Sequence, residues 1–131
     1  MYLLDTHVLL WFLTGNTDKL SIETVDILND ISSELYFSVA SIWELSIKAS
    51  LGKPDFSYDP KQIAGELLRL GFIELPITIN HVCAIGSLPL IHGDPFDRLL
   101  LVQSKLEKLT LMTADANILR YEQGQVKDVR L

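Results

Sequence analysis

Short apolar runs alternate with longer amphipathic segments along this chain of 131 residues. The short runs are typical of β-strands, whereas the longer segments repeat their apolar residues at helical spacing. Strands that are separated by helices usually pair in parallel, and the helices then cover both faces of the sheet. We therefore predict one domain over residues 1–131, an α/β fold in which a parallel sheet lies between two layers of helices.

The predicted elements follow one another with short connections, and none of them repeats another. The predicted strands are Tyr2–Leu4, Leu35–Val39, Phe72–Leu75, Leu109–Thr113 and Val126–Val129. The predicted helical segments are Thr6–Leu13, Ser21–Ile31, Ala40–Leu51, Pro60–Leu70, Ile79–Ser87, Pro95–Glu107 and Ala116–Tyr121. Loops are predicted at Lys53–Asp59 and Pro89–Gly93, which are rich in proline, glycine and aspartate. In the second helical segment, Ile22, Val25, Leu28 and Ile31 have the spacing of one buried face.

The bulk composition indicates a globular protein of the cytoplasm. The single cysteine, Cys83, excludes an internal disulfide and favours a reducing compartment, and we expect its side chain to be buried. No apolar stretch approaches the roughly 18–20 residues that a membrane helix needs. The apolar start lacks the basic region and cleavage site of a signal peptide.

The net charge of −6 argues against a nucleic-acid-binding protein if it is taken alone. The argument weakens if carboxylates converge on a bound metal ion, because the ion reverses the local field. An acidic surface also favours a basic protein partner. Neither a glycine-rich dinucleotide turn nor a phosphate-binding P-loop occurs, so no nucleotide cofactor is expected.

Four acidic residues lie just after, or one helical turn beyond, predicted strands. They are Asp5, Glu44, Asp97 and Asp115. Because the carboxyl ends of parallel strands share one edge of the sheet, these side chains are expected to meet where open α/β folds bind their ligands. Crowded carboxylates repel one another unless a cation neutralises them. The pattern therefore points to a metal site.

Each of these acids also has an ordinary structural explanation. Asp5 and Asp115 could cap the helices that follow them, and Asp97 occupies a favourable position in the first turn of a helix that Asp94 caps. Glu44 could form a surface ion pair with Lys48 four residues later. If the fourth strand lies beside the first, however, Asp5 and Asp115 become neighbours, and chance placement of all four acids becomes the less economical account.

Oxygen ligands of this kind favour Mg²⁺ or Mn²⁺. The three histidines are scattered, without the spacing of a zinc site. The hydroxyl groups of Thr6, Ser41 and Thr113 could support the acids, or could equally be helix caps. Lys48 and Arg98 could contact phosphate, or could form ordinary salt bridges.

At these residues the chain resembles the PIN-domain ribonucleases, and among them the toxins of VapBC-type toxin–antitoxin pairs. Four segments, in family order, carry the resemblance: Leu4-Asp5-Thr6-His7, Ser41-Ile42-Trp43-Glu44 with Lys48 and Gly52-Lys53, His92-Gly93-Asp94-Pro95-Phe96-Asp97-Arg98, and Thr113-Ala114-Asp115. The aspartate-proline-phenylalanine-aspartate-arginine run is the most specific.

The resemblance implies a five-stranded parallel sheet, a homodimer and Mg²⁺- or Mn²⁺-dependent endonucleolytic cleavage of RNA. It assigns Asp5, Glu44, Asp97 and Asp115 to the acidic quartet of the family. Asp5 and Asp97 would be the principal metal ligands, with Asp115 and Glu44 completing the site. It also implies a small DNA-binding antitoxin as partner.

Other functions are compatible with parts of the sequence. A protein-binding module of the same fold would need no functional acids, and a metal-dependent DNA nuclease would use every one of them. A receiver-like phosphotransfer domain would need an acidic pair at the end of the first strand and a lysine after the last, which this chain does not provide.

Overall fold

The computed structural model of the chain describes residues 1–52, 58–121 and 125–131. Five short strands lie in it: β1 (Tyr2–Leu4), β2 (Leu35–Ser38), β3 (Ile73–Leu75), β4 (Thr110–Thr113) and β5 (Val126–Asp128). Six α-helices accompany them: α1 (Thr6–Thr14), α2 (Ile22–Asn29), α3 (Val39–Ser50), α4 (Pro60–Arg69), α5 (Ile79–Ala84) and α6 (Pro95–Glu107). Short 3₁₀ turns occur at Thr17–Lys19, Ile85–Ser87 and Ile118–Arg120.

The strands form one five-stranded sheet in the order β3-β2-β1-β4-β5, and every pairing is parallel. β1 lies in the centre, where Tyr2 pairs with Leu35 on one side and with Thr110 on the other. The predicted α/β class is thus confirmed, and the fourth strand lies beside the first, which is the condition under which Asp5 and Asp115 become neighbours.

Two apolar layers cover the sheet, one on each face. Successive residues of a strand point to opposite faces, so Leu4 packs in one layer with Phe37. Leu3 packs in the other layer with Leu111 and with Leu99–Leu101 of α6. Both Leu3 and Leu4 are completely buried. No helix within the described residues is long and apolar enough to cross a lipid bilayer.

Side-chain caps begin several helices at the carboxyl edge of the sheet. Asp5 accepts a hydrogen bond from the amide of Val8 and begins α1, and Ser38 accepts one from the amide of Ala40 and begins α3. The helices that follow β1 and β2 therefore start at this edge and direct the positive ends of their dipoles toward it.

The structure corrects two helical predictions in the second half of the chain. Ala116–Tyr121 is not an α-helix, because only Ile118–Arg120 is helical and that turn is 3₁₀. Ile79–Ser87 is helical throughout, but α5 ends at Ala84 and a 3₁₀ turn continues it. Segments this short gain few helical hydrogen bonds, so the local packing decides their form.

Three side chains differ in burial from the prediction. Ile22 is 82% exposed at the start of α2, which buries Thr24 and Leu28 instead. Ile31 is 102% exposed because α2 ends at Asn29. Cys83 is exposed, since α5 directs His81 into the core and the cysteine two positions later points away. Most of the predicted loop Lys53–Asp59, including Lys53 itself, lies outside the described residues.

A buried hydrogen-bond network joins the end of β2 to α6. The Ser38 hydroxyl donates to Gln103 Oε1 at 2.5 Å, and the Gln103 amide donates to the Pro76 carbonyl at 3.3 Å. The same amide nitrogen lies 3.4 Å from Nδ1 of His81. Because Ser38 also caps α3, Gln103 fixes the start of the helix that carries Glu44.

We expect Gln103→Met to destabilise the fold while preserving its shape. Methionine has a similar length, but it leaves the Ser38 hydroxyl and the Pro76 carbonyl without their partner, which costs about 1–3 kcal/mol of unfolding free energy. Urea unfolding measures the change. Gln62→Met, at an exposed position of α4, is the matched control, and equal losses in the two variants would contradict a role for the network.

Candidate active site

The four predicted acids line a single pocket at the carboxyl edge of the sheet. Asp5 follows β1, Glu44 lies on α3, Asp97 lies in the first turn of α6, and Asp115 follows β4. The pocket has a volume of about 210 Å³ and is lined by Asp5, Thr6, His7, Glu44, Lys48, His92, Asp94, Asp97 and Asp115. Residues from well-separated parts of the chain therefore form one strongly acidic site.

Asp5 is the most deeply buried of these acids, with 4% of its surface exposed. Its Oδ1 accepts the Val8 amide at 2.9 Å, and its Oδ2 accepts a short hydrogen bond from the Thr113 hydroxyl. Burial raises the pKa of the Asp5 carboxyl, as does the charge of Asp115, whereas the two hydrogen bonds lower it. Asp5 is thus both the cap of α1 and a fixed member of the pocket.

Glu44 is held by partners on two helices. The Thr6 hydroxyl donates to Glu44 Oε1 at 2.7 Å and lies 3.0 Å from the hydroxyl of Ser41. Lys48 Nζ lies 3.3 Å from the other carboxylate oxygen. The ion pair that the sequence offered as an alternative to a site role is therefore present, and both of its members line the pocket.

Asp97 and its cap lie at the start of α6. Asp94 Oδ1 accepts the amides of Phe96 and Asp97 at 2.8 and 3.1 Å, as expected for an N-cap. Asp97 Oδ2 lies 2.7 Å from Nε2 of His92. Burial raises the pKa of Asp97 to about 6, the charges of Asp94 and Asp115 add to the rise, and the His92 hydrogen bond opposes it.

Asp115 lines the pocket and also accepts hydrogen bonds from the backbone that follows it. Its Oδ1 accepts the amides of Asn117 and Ile118 at 2.8 and 3.1 Å, so it caps the 3₁₀ turn. Its own amide donates to the Thr113 hydroxyl at 3.0 Å. Because Thr113 also binds Asp5, one hydroxyl group joins the acids that follow β1 and β4.

Arg98 forms no ion pair within the described residues and does not line the pocket. Its guanidinium donates to the carbonyls of Ile85, Pro89 and His92 at 3.0 to 3.3 Å, and it lies 3.4 Å from the Tyr121 hydroxyl. These contacts bind the loop before α6 to the helix. Arg98 therefore supports the loop that contributes His92 to the pocket, although its own side chain is not part of the pocket lining.

Three pocket residues were not among the predicted site residues: His7, His92 and Asp94. His7 directly follows Thr6, and His92 precedes Asp97 by five positions in the segment that carries the family resemblance. The sequence signal that could have identified these three residues was their proximity to a predicted acid. Side-chain direction in a loop, however, cannot be derived from periodicity.

The donor atoms of the pocket fit a divalent cation. Five carboxyl groups and one ammonium group line it, and the raised pKa values of Asp5 and Asp97 indicate that their charges are poorly compensated. Ligand atoms of His92, Asp94 and Asp97 all lie within 4.8 Å of one another. Carboxylate oxygens at this density are ligands that Mg²⁺ and Mn²⁺ accept.

Most of the sequence matches the model of a known protein family. The model of the PIN domain family matches residues 2–123. The chain belongs to the PIN domain family. The resemblance inferred from the four acidic segments is thus confirmed at the level of the family.

Solved structures share the fold of this PIN domain at low sequence identity. VapBC2 from Rickettsia felis, bound to a promoter DNA fragment, matches with a TM-score of 0.68 and 18% identity over 96% of each chain. VapBC-1 from nontypeable Haemophilus influenzae matches with a TM-score of 0.68 and 17% identity, over 99% of this chain and 98% of that one. FitAcB from Neisseria gonorrhoeae matches with a TM-score of 0.60 and 18% identity, over 98% and 97%. Comparison with curated proteins found no significant match.

We expect Asp97→Asn to raise the melting temperature of the metal-free protein at about pH 8 but not at about pH 4. Burial raises the pKa of Asp97 from its ordinary value of 3.8 to about 6 in the fold. Ionised Asp97 therefore destabilises the fold. This destabilisation is absent below the pKa of Asp97 in the unfolded chain and is complete above its pKa in the folded protein. Asparagine carries no charge and still offers His92 a hydrogen-bond partner.

Thermal melts in EDTA across this pH range measure the effect. Asp18→Asn removes the same formal charge at an exposed position outside the pocket, and it controls for the change in net charge. An equal shift in both variants, or a shift of Asp97→Asn that is independent of pH, would contradict the prediction.

Proposed function

We propose that this PIN domain is a Mg²⁺- or Mn²⁺-dependent endoribonuclease, and that it is the toxin of a type II toxin–antitoxin pair. One observation carries the proposal: four acids from separate segments converge in one pocket at the carboxyl edge of a PIN-domain sheet. Such an edge is the usual ligand-binding position of open α/β folds.

The carboxylates of Asp5, Glu44, Asp97 and Asp115 would hold the cation. Thr113 fixes the direction of Asp5, and Thr6 fixes that of Glu44, so the geometry of the pocket is set before a ligand arrives. A bound divalent cation would activate water for attack on phosphorus and would stabilise charge on the leaving oxygen.

Lys48 and His7 would orient the substrate. Both line the pocket, Lys48 is about one-third exposed and His7 is exposed, so each can reach a phosphate group that approaches from solvent. The ammonium group is a point charge suited to phosphate. The carboxylates of the pocket would repel the phosphate groups of RNA. Lys48, His7 and the bound cation would supply the attraction instead.

The proposed partner rests on two observations. The sequence resembles toxins of VapBC-type pairs, and structures of VapBC share its fold. The net charge of −6 would favour a partner with a basic surface. The homodimer and the cytoplasmic location that the sequence suggests stay predictions.

The purified protein should cleave RNA from a mixed cellular pool with Mg²⁺ or Mn²⁺, and EDTA should stop the cleavage. Asp5→Asn should abolish it, because asparagine can still cap α1 but lacks the negative charge that a metal ligand supplies. Removal of such a charge should cost at least about a hundredfold in rate. Gel separation of end-labelled RNA measures the cutting.

Asp18→Asn should cleave as the unmodified protein does. Preferential cleavage of single-stranded DNA over RNA would indicate that the protein is a DNA nuclease and not a ribonuclease. If folded, partner-free protein binds neither cation in calorimetry and cuts neither polymer, the proposal fails and the protein-binding module remains.

Expression of the chain alone should arrest bacterial growth, and Asp5→Asn should relieve the arrest. Co-expression of the adjacent reading frame should restore growth and yield a complex that co-purifies on size exclusion. Growth curves and the composition of the purified complex are the measurements. A harmless unmodified chain that nonetheless cuts RNA in vitro would contradict the toxin role but not the nuclease.

A further inference from the structure

His92 is directed into the pocket, although nothing in its spacing along the sequence suggested a ligand. Its Nε2 lies 2.7 Å from Asp97 Oδ2, and only 17% of its side chain is exposed. We infer that His92 is a direct nitrogen ligand of the divalent cation, beside the carboxylate oxygen of Asp97. This inference rests on the proposed metal site and concerns the identity of one of its ligands.

The distances suit ligands that share one ion. His92 Nε2 and Asp97 Oδ2 lie 2.7 Å apart and share a hydrogen bond in the metal-free protein, and adjacent ligands of an octahedral ion lie about 3 Å apart when each is about 2.1 Å from the metal. A cation bound by both atoms would replace the proton between them, which is released to solvent, and the neutral imidazole would keep its other proton on Nδ1. The ligand atoms of His92, Asp94 and Asp97 all lie within 4.8 Å of one another.

The backbone of His92 is fixed independently of its imidazole ring. Its amide donates to the Tyr121 hydroxyl at 2.9 Å, and its carbonyl accepts the Arg98 guanidinium at 3.3 Å. Arg98 also binds the carbonyls of Ile85 and Pro89, so the whole loop is attached to α6. The loop that carries the imidazole is therefore held independently of the contact with Asp97.

Asp94 can share in the site without losing its structural role. Both of its hydrogen bonds to the first turn of α6 use Oδ1. Its second oxygen is the one free to turn toward the pocket, which Asp94 lines. One cap residue can thus hold the helix and contribute an oxygen ligand to the same ion as His92.

A nitrogen ligand changes which metal is preferred. Imidazole is a softer donor than carboxylate and suits transition metals, whereas Mg²⁺ prefers a shell of oxygen atoms. The site should therefore bind Mn²⁺ more tightly than Mg²⁺, and His92 should be responsible for part of that preference.

Electron spin echo envelope modulation of bound Mn²⁺ tests the ligand directly, without any measurement of activity. The unmodified protein should show modulation from a coordinated nitrogen. Labelling only its histidines with ¹⁵N should change the modulation frequencies, which assigns the nitrogen to histidine in a chain that carries no substitution. His92→Gln should abolish the signal.

His7→Gln is the matched control, because His7 also lines the pocket. It should keep the nitrogen modulation, while calorimetry should show that His92→Gln weakens Mn²⁺ binding by about tenfold or more. Mg²⁺ binding should change much less. A thermal melt of each variant establishes that it is folded.

The outcomes separate this inference from the proposed function. Mn²⁺ that binds without nitrogen modulation, or modulation that disappears in His7→Gln and persists in His92→Gln, overturns the role of His92 and leaves the metal site intact. Folded protein that binds no Mn²⁺ at all overturns both.

Discussion

The parallel pairing of β1 with both of its neighbours is the constraint on which the remaining structure depends. β1 is only three residues long, yet it lies between β2 and β4 and places Leu3 and Leu4 in opposite layers of the core. A shift of one residue would exchange the two layers. The same register sets Asp5 beside the end of β4, where Thr113 binds it. Core packing and site geometry are therefore fixed by the same hydrogen bonds.

The pocket works against the stability of the domain that forms it. Burial raises the pKa values of Asp5 and Asp97, so their ionised forms are disfavoured where they lie. Hydrogen bonds from Thr113 and the Val8 amide to Asp5, and from His92 to Asp97, offset part of this cost. Function and stability commonly oppose each other at such sites. A cation would relieve the repulsion, so binding and folding should be thermodynamically linked.

The sequence predicted the sheet and the four acids because both follow from patterns of short range: apolar runs define the strands, and parallel strands share an edge. It failed where three-dimensional packing decides. Ile31 has helical spacing but lies beyond the end of α2. The Arg98 guanidinium donates hydrogen bonds to loop carbonyls that no sequence pattern identifies. His92 was missed as a pocket residue because its direction depends on that same loop. Capping and a place in the pocket were treated as alternatives, whereas Asp5 and Asp115 accept backbone hydrogen bonds and also line the pocket.

The hydrogen bond between Thr113 and Asp5 spans 108 residues of the chain. Synthesis proceeds from Asp5 toward Asp115, and β1 receives its partner β4 only after most of the chain has been made. Until then one edge of β1 is open, and the acid after β4 is absent from the pocket. If the protein cuts RNA, a nascent chain beside the ribosome would carry an incomplete site. The order of the strands therefore delays completion of the pocket until β4 and Asp115 have been made.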